Sequence, residues 1–334
     1  SSVLWGNDSD RFYKMLITTD PIKSADRDAL KTEYKNAATE ADYYTAAIAY
    51  LTKNGYTLKE TYNMAYSEDP QTWDALATSR AVDSEAIVNT YDGLYEYDVK
   101  NDQKPALATD VKVSDDGLTY TFTLRQGVKW VDSTGKYLNV DVKASDFVAG
   151  MQHLLDAKAG LESLVSGIVG VSEYVEGKDL DFTKVGVKAI DDYTLQYTLN
   201  APCTYFLTML GYGMFAPLCK DYYVSKGGKF GADYNPAAED YTYGKDPQNI
   251  AYCGPYVVSN ATASNSITFK ANPEYWNKAN VKVKTLTWLF NDGKDATKTY
   301  TDMKSGTLDG AGLNASSLEL AKSEKVGNTN ATWF

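Results

Sequence analysis

Histidine is all but missing from this chain: His153 is the only one in 334 residues. A Ser/His/Asp or Cys/His mechanism needs that single imidazole beside a nucleophile. Its surroundings, Met151-Gln152-His153-Leu154-Leu155, mark it only as a helix residue. Cysteine is scarce too. Cys203, Cys219 and Cys253 form no CxxC pair, which argues against a zinc ribbon or a thioredoxin-type site. No run of 18 or more apolar residues occurs, so no segment reads as a membrane-spanning helix. Nor does a charged-then-apolar leader open the chain at Ser1-Ser2-Val3-Leu4-Trp5, as expected if an export signal has been removed. Basic charge is in deficit: 33 Lys and Arg face 44 Asp and Glu, a formal net charge of −11. That balance disfavours nucleic acid or an anionic membrane surface as partner, because a phosphate backbone recruits clustered cations. The most basic stretch, Val281–Lys284, is an alternating strand. No phosphate loop of the form GxxxxGK[ST] occurs and no carboxylate sits in a catalytic motif, so the sequence implies no cofactor and no enzyme.

What is abundant is tyrosine: 27 residues, against 10 Phe and 6 Trp. Rings with a polar handle serve half-buried strands, and they also serve binding surfaces that read many ligands. Hydrophobic residues make up 43% and charged residues 23%, the balance of a folded globular protein.

Residues 1–56 read as helical. Ser9 is a candidate cap for a first helix through Asp10–Leu16, which Pro21 terminates. A second helix suits Ala25–Asn36. A third starts at Thr39, runs through Tyr43, Ala46, Ala47, Tyr50 and Leu51, and stops at Asn54-Gly55. From Thr57 the texture turns to strand. Leu58–Tyr66 alternates, and Ser84–Thr90 reads as a helix. Asp115-Asp116-Gly117 between Val111–Val113 and Leu118–Leu124 is a strong hairpin signal. Ala144-Ser145-Asp146 heads a helix over Phe147–Asp156. A second hairpin spans Val185–Leu199, and residues 221–250, rich in Tyr, Gly, Asp and Asn, read as an irregular surface segment. Tyr256–Val258 pairs with Ser266–Ala271, Val283–Phe290 is a strand and Asp295–Lys304 a helix. Helices and strands mix throughout, so the class is α/β or α+β.

Five blocks, in order, resemble the family 5 extracellular solute-binding proteins, the oligopeptide and dipeptide receptors of ABC importers. They are Tyr66–Leu76 with its Asp69-Pro70; Tyr91-Asp92-Gly93-Leu94-Tyr95 followed by Lys104–Ala108; Val113–Trp130 continuing into Val142–Val148; Val187–Leu195; and Cys253-Gly254-Pro255-Tyr256 with Asn272-Pro273-Glu274-Tyr275-Trp276 and Lys304–Gly310. The third is the most specific. These blocks make turns and core anchors, Trp130 and Phe147 among them, so they identify a scaffold and do not read a ligand.

The resemblance implies a two-lobed periplasmic-binding-protein-like α/β fold with an inserted subdomain in lobe one. Residues 57–89 with 184–272 would form the core of lobe one, 90–183 the insert, and 273–334 the start of an incomplete second lobe; 1–56 would be a helical N-terminal extension. It implies a monomeric extracytoplasmic receptor, a cell-surface lipoprotein or a periplasmic protein, that binds a peptide and docks on membrane ABC permease subunits. Mapped by position, the ligand-binding candidates are Thr78, Ser79, Arg80 and Ala81, supplying backbone groups, and Tyr212, Tyr252 and Cys253 on the cleft wall. Cys219 and Cys253 fall on neighbouring strands of the family. They either pair as a disulfide, which suits an exported protein, or remain two buried thiols. An oligosaccharide or metal chelate is the alternative ligand on the same fold, and a surface adhesin the alternative role.

Overall fold

A computed structural model describes residues 3–4, 11–330 and 332–333. Its centre is a four-stranded sheet in the order Tyr256–Thr262, Ser266–Ala271, Thr285–Phe290, Thr61–Tyr66. The first three strands are antiparallel. The last pairing, Thr285–Phe290 with Thr61–Tyr66, is parallel and in register from Thr285↔Thr61 to Phe290↔Tyr66. Period-2 patterning drives this sheet, since Ile267, Phe269, Leu286 and Trp288 all point to one buried face. Phe269 and Trp288 lie 5.1 Å apart between ring centroids.

The second four-stranded sheet is antiparallel throughout: Val187–Asp191, Thr194–Thr198, Thr119–Leu124, Ala108–Val113. Both expected hairpins are here. At the first, Gly117 takes φ +72° and Asp116 Oδ1 accepts from Leu118 N at 3.0 Å and from Ser114 Oγ at 2.6 Å. The fold also contains the antiparallel ribbons Lys129–Val131/Tyr137–Asp141 and Tyr95–Tyr97/Gln103–Pro105.

The N-terminal region differs from the expectation. Helices α1 (Ser24–Asn36) and α2 (Glu40–Lys53) form as read, with Thr39 Oγ1 accepting from Asp42 N at 3.1 Å and Gly55 at φ +83°. The helix expected over Asp10–Leu16 does not form across Arg11–Leu16, where a turn leads into the strand Leu16–Thr18; its cap Ser9 and first residue Asp10 lie outside the described residues. Arg11, Tyr13 and Met15 are buried along with Leu16 and Ile17, more sides than one helix face can bury. The segment instead bonds to distant chain: Lys282 N donates to Tyr13 O, and Ile17 pairs with Lys59. Tyr13, Met15 and Ile17 join the main core, while α1 and α2 close a smaller cluster around Leu30, Tyr43, Leu51 and Val99.

Helix α3 spans Ala81–Ile87, three residues earlier than expected, because the carboxylate of buried Asp83 ties its first turn to Gln71 N and Thr78 Oγ1. Helix α4 (Ala144–Ala157) buries Phe147, Met151, His153, Leu154 and Leu155. Residues 221–250 are irregular apart from the end of the helix Lys220–Ser225 and short turns, but they are not merely surface: Tyr223, Tyr241 and Tyr243 are buried. The expected boundary at 272/273 falls inside the first sheet, and Val187–Asp191, assigned to lobe one, shares the second sheet with two strands of the expected insert.

Candidate functional site

A cavity of about 550 Å³ opens where three segments meet. One runs from the single turn Ala75–Ala77 through Thr78 into α3. A second carries Tyr91 and the strand Tyr95–Tyr97. The third is Gly211–Met214. Close approach of the last two depends on two glycines. A Cβ on Gly93 would lie 2.9 Å from Leu210 O, and one on Gly211 would lie 2.9 Å from Tyr95 O, so only bare backbone fits at each. Gln103 Nε2 donates to Leu207 O at 2.7 Å and holds the same contact from the side.

On the wall at Thr78–Arg80, the Thr78 side chain is buried, Ser79 is exposed and Arg80 is half-buried. Thr78 Oγ1 donates to Asp83 Oδ2 at 2.7 Å and accepts from Arg80 N at 3.1 Å. Arg80 pairs with Glu68 at 2.5 Å and Asp83 at 3.2 Å. The main chain here is extended, with φ −147° and ψ 145° at Thr78 and φ −77° and ψ 128° at Arg80. Among the described residues, no group bonds to the main-chain N–H or C=O of Thr78 or Ser79. Buried or strand-like backbone is ordinarily paired, so this extended stretch, with Thr78 on the cavity wall, leaves main-chain groups free to pair.

Behind the cavity sits a buried ionic network. Glu96 accepts from Tyr13 Oη, Arg11 Nη1 and Lys14 Nζ; Asp92 accepts from Arg11 Nη2, Tyr275 Oη and Trp276 Nε1. Burial pushes the Asp92 carboxyl above its ordinary range, against the pull of Arg11. The Arg125 guanidinium covers the Trp276 ring at 3.8 Å. Glu85 and Tyr212, which is 56% exposed, face the opening.

Of the expected site residues, Thr78, Ala81 and Tyr212 line the cavity together, with Ser79 and Arg80 on the same segment. Tyr252 and Cys253 do not reach it. Both are fully buried: Tyr252 pairs with Val131 and donates to Pro247 O at 2.7 Å, and Cys253 N bonds Thr90 O. All three cysteines are free, so the Cys219–Cys253 disulfide is not formed. Burial raises the Cys219 thiol to about 12 and pushes Cys253 higher still, which suppresses the thiolate needed for exchange. Sequence reasoning did not pick out Tyr91, Tyr95, Tyr97, Glu85 or Arg11 for the site. The i, i+2 spacing of Tyr95 and Tyr97 puts both rings on one strand face, and that signal was available.

His153 does not line the cavity: it is fully buried elsewhere, bonded to Asp74. Among the described residues no cluster of three or more His, Cys, Asp or Glu is placed to hold a metal, and no helix is long and apolar enough to cross a membrane.

The chain as a whole is similar to known proteins. The family model "Bacterial extracellular solute-binding proteins, family 5 Middle" matches residues 102–332. The oligopeptide-binding protein SarA of Streptococcus gordonii is 38% identical over 275 residues, covering 82% of this chain and 40% of SarA. The substrate-binding domain of an oligopeptide ABC transporter from Bacillus anthracis superposes with TM-score 0.69 at 27% identity, covering 80% of this chain and 48% of that one. Listeria monocytogenes OppA bound to peptide gives TM-score 0.69 at 25% identity, covering 80% and 49%. The chain therefore spans about half the length, or less, of the proteins it matches.

Proposed function

We propose, since this chain belongs to the bacterial extracellular solute-binding proteins of family 5, that it captures peptides outside the cytoplasm and delivers them to the permease of an ABC importer. The observation that carries the reading is the unpaired, extended main chain of Thr78 and Ser79 beside the cavity. A peptide's own main chain can add to such an edge as one more strand, which gives affinity without reading sequence. Tyr91, Tyr95, Tyr97 and Tyr212 then offer ring faces and hydroxyls to varied side chains. The names of SarA, the Bacillus anthracis protein and OppA all speak of oligopeptides or peptide. On this reading the chain performs no chemical step, works as a monomer and is held at the cell surface as a lipoprotein or kept in the periplasm. We also read the two four-stranded sheets, with Thr285–Phe290 included, as one lobe with its insert.

The test is a thermal-shift and calorimetry screen of the chain against mixed short peptides, with an oligosaccharide and a metal chelate as separate arms. Stabilisation by peptides alone, rising with concentration as ligand linkage requires, is the expected result. A response only to the sugar or the chelate overturns the peptide ligand and leaves the scaffold.

A further inference from the structure

We propose that His153 is a positioning residue: acting through Asp74, it sets the wall segment that carries Thr78 and Ser79. The proposal rests on the peptide reading above for its functional meaning, but its geometry stands without it. His153 lies on α4 with no exposed surface, and its Nε2 is 2.6 Å from Asp74 Oδ2. The other oxygen of that carboxylate, Oδ1, accepts from Leu76 N at 3.1 Å and caps the turn Ala75–Ala77. That turn ends at Thr78, and Ala75 and Thr78 both line the cavity. One carboxylate therefore has one oxygen on the imidazole and one on the wall.

The pocket around the imidazole makes this link directional. Tyr223, Tyr234 and Tyr243 enclose the ring at centroid distances of 4.6, 5.8 and 6.0 Å. His153 Nδ1 is buried with no hydrogen-bond partner among the described residues. With Asp74 at Nε2 and nothing at Nδ1, the hydrogen that faces the carboxylate belongs on Nε2, and the polar interaction is strong because water is excluded. The tyrosine segment is clamped to the same spot from the far side: Trp73 N and Thr72 Oγ1 both donate to Gly244 O. Without the Nε2–H, Asp74 loses the partner that fixes its plane, and the cap on the wall turn loosens. The only histidine of the chain thus does structural work one step removed from the ligand.

The single histidine makes the test clean. In the wild-type chain, imidazole ¹⁵N spectra are expected to show a hydrogen on Nε2; a bare Nε2 overturns the proposal without any variant. In the ligand-free chain with labelled alanine methyls, His153→Leu, which keeps bulk but donates nothing, is expected to move the Ala75 and Ala77 signals, and His153→Gln, which keeps an N–H donor, to move them back towards wild type. Signals equally displaced in both variants, or displaced in neither, overturn it. With a randomised tetrapeptide mixture, His153→Leu is expected to bind about ten-fold more weakly, the effect of losing roughly one capping interaction, and His153→Gln to recover most of that loss. If no peptide binds even the wild type, the peptide reading fails and the methyl and ¹⁵N results decide the positioning role by themselves.

Discussion

Arg11 Nη2 meets Asp92 Oδ1 at 2.7 Å across 81 residues of sequence, with side chains 8% and 0% exposed. Arg11 also holds Glu96 at 3.1 Å, and Asp92 in turn receives Tyr275 and Trp276. The segment from Arg11 is therefore part of the protein's interior, because it supplies the cation that two buried carboxylates share. Replacing such a partner leaves an uncompensated buried charge, a loss of about 3–5 kcal/mol. Arg11→Met is expected to fall by that order in urea unfolding, and Asp92→Asn in the same background to return part of it. A variant as stable as wild type contradicts the account.

Asp146 heads α4 and accepts from Trp130 Nε1 at 2.9 Å and Lys143 N at 3.1 Å, yet burial raises its carboxyl to about 6. A folded-state value above the usual Asp value of about 3.9 means the native state keeps its proton longer than the unfolded one. The stability from this group is then fully present below about pH 4 and is lost as pH rises through about 6, amounting to roughly 3 kcal/mol. Asp146→Asn cannot ionise. Its stability relative to wild type is expected to rise by up to that amount between pH 4 and pH 7, measured by urea unfolding at each pH; a difference independent of pH refutes the assignment.

Gly254 admits no side chain. A Cβ there would lie 2.4 Å from Tyr91 N and 2.6 Å from Thr90 C, both backbone atoms. Gly254→Ala must push the Thr90–Tyr91 chain aside, and Tyr91 lines the cavity. Overpacking of this kind costs about 1–3 kcal/mol. The variant is expected to lower the melting temperature and to weaken peptide binding together. Loss of neither shows that the approach is looser than described.

The local elements were legible because their signals are local. Asp116-Gly117 announces its turn, Thr39 its cap, and the alternation of Val187–Thr198 its hairpin. Arg11–Leu16 was not legible as a strand approach, since what buries it comes from residues 62, 92, 96, 275 and 282, far along the chain. Residues 221–250 look like surface by composition, but their tyrosines pack edge-on or tilted against one another and His153 at ring distances of 4.6–6.1 Å. For the cavity, the resemblance pointed to Thr78–Ala81 and Tyr212. Tyr252 and Cys253, some forty residues further along, are buried away from the cavity, because position along the chain does not say which side of a segment the core will take.

The three thiols differ in access. Cys203 is half-buried, while Cys219 and Cys253 are buried. A thiol reagent is expected to label Cys203 in the native chain and the other two only on unfolding, with an intact mass equal to three free cysteines. A native mass two hydrogens lighter contradicts the free pair.

The most direct test of the central claim is to photo-crosslink a short peptide carrying a diazirine side chain to the chain and map the adducts by mass spectrometry. The account predicts adducts within Ala75–Val88, Tyr91–Tyr97 and Gly211–Met214, competed away by unlabelled peptide. Competable adducts confined to other surfaces, with none on these three segments, contradict it.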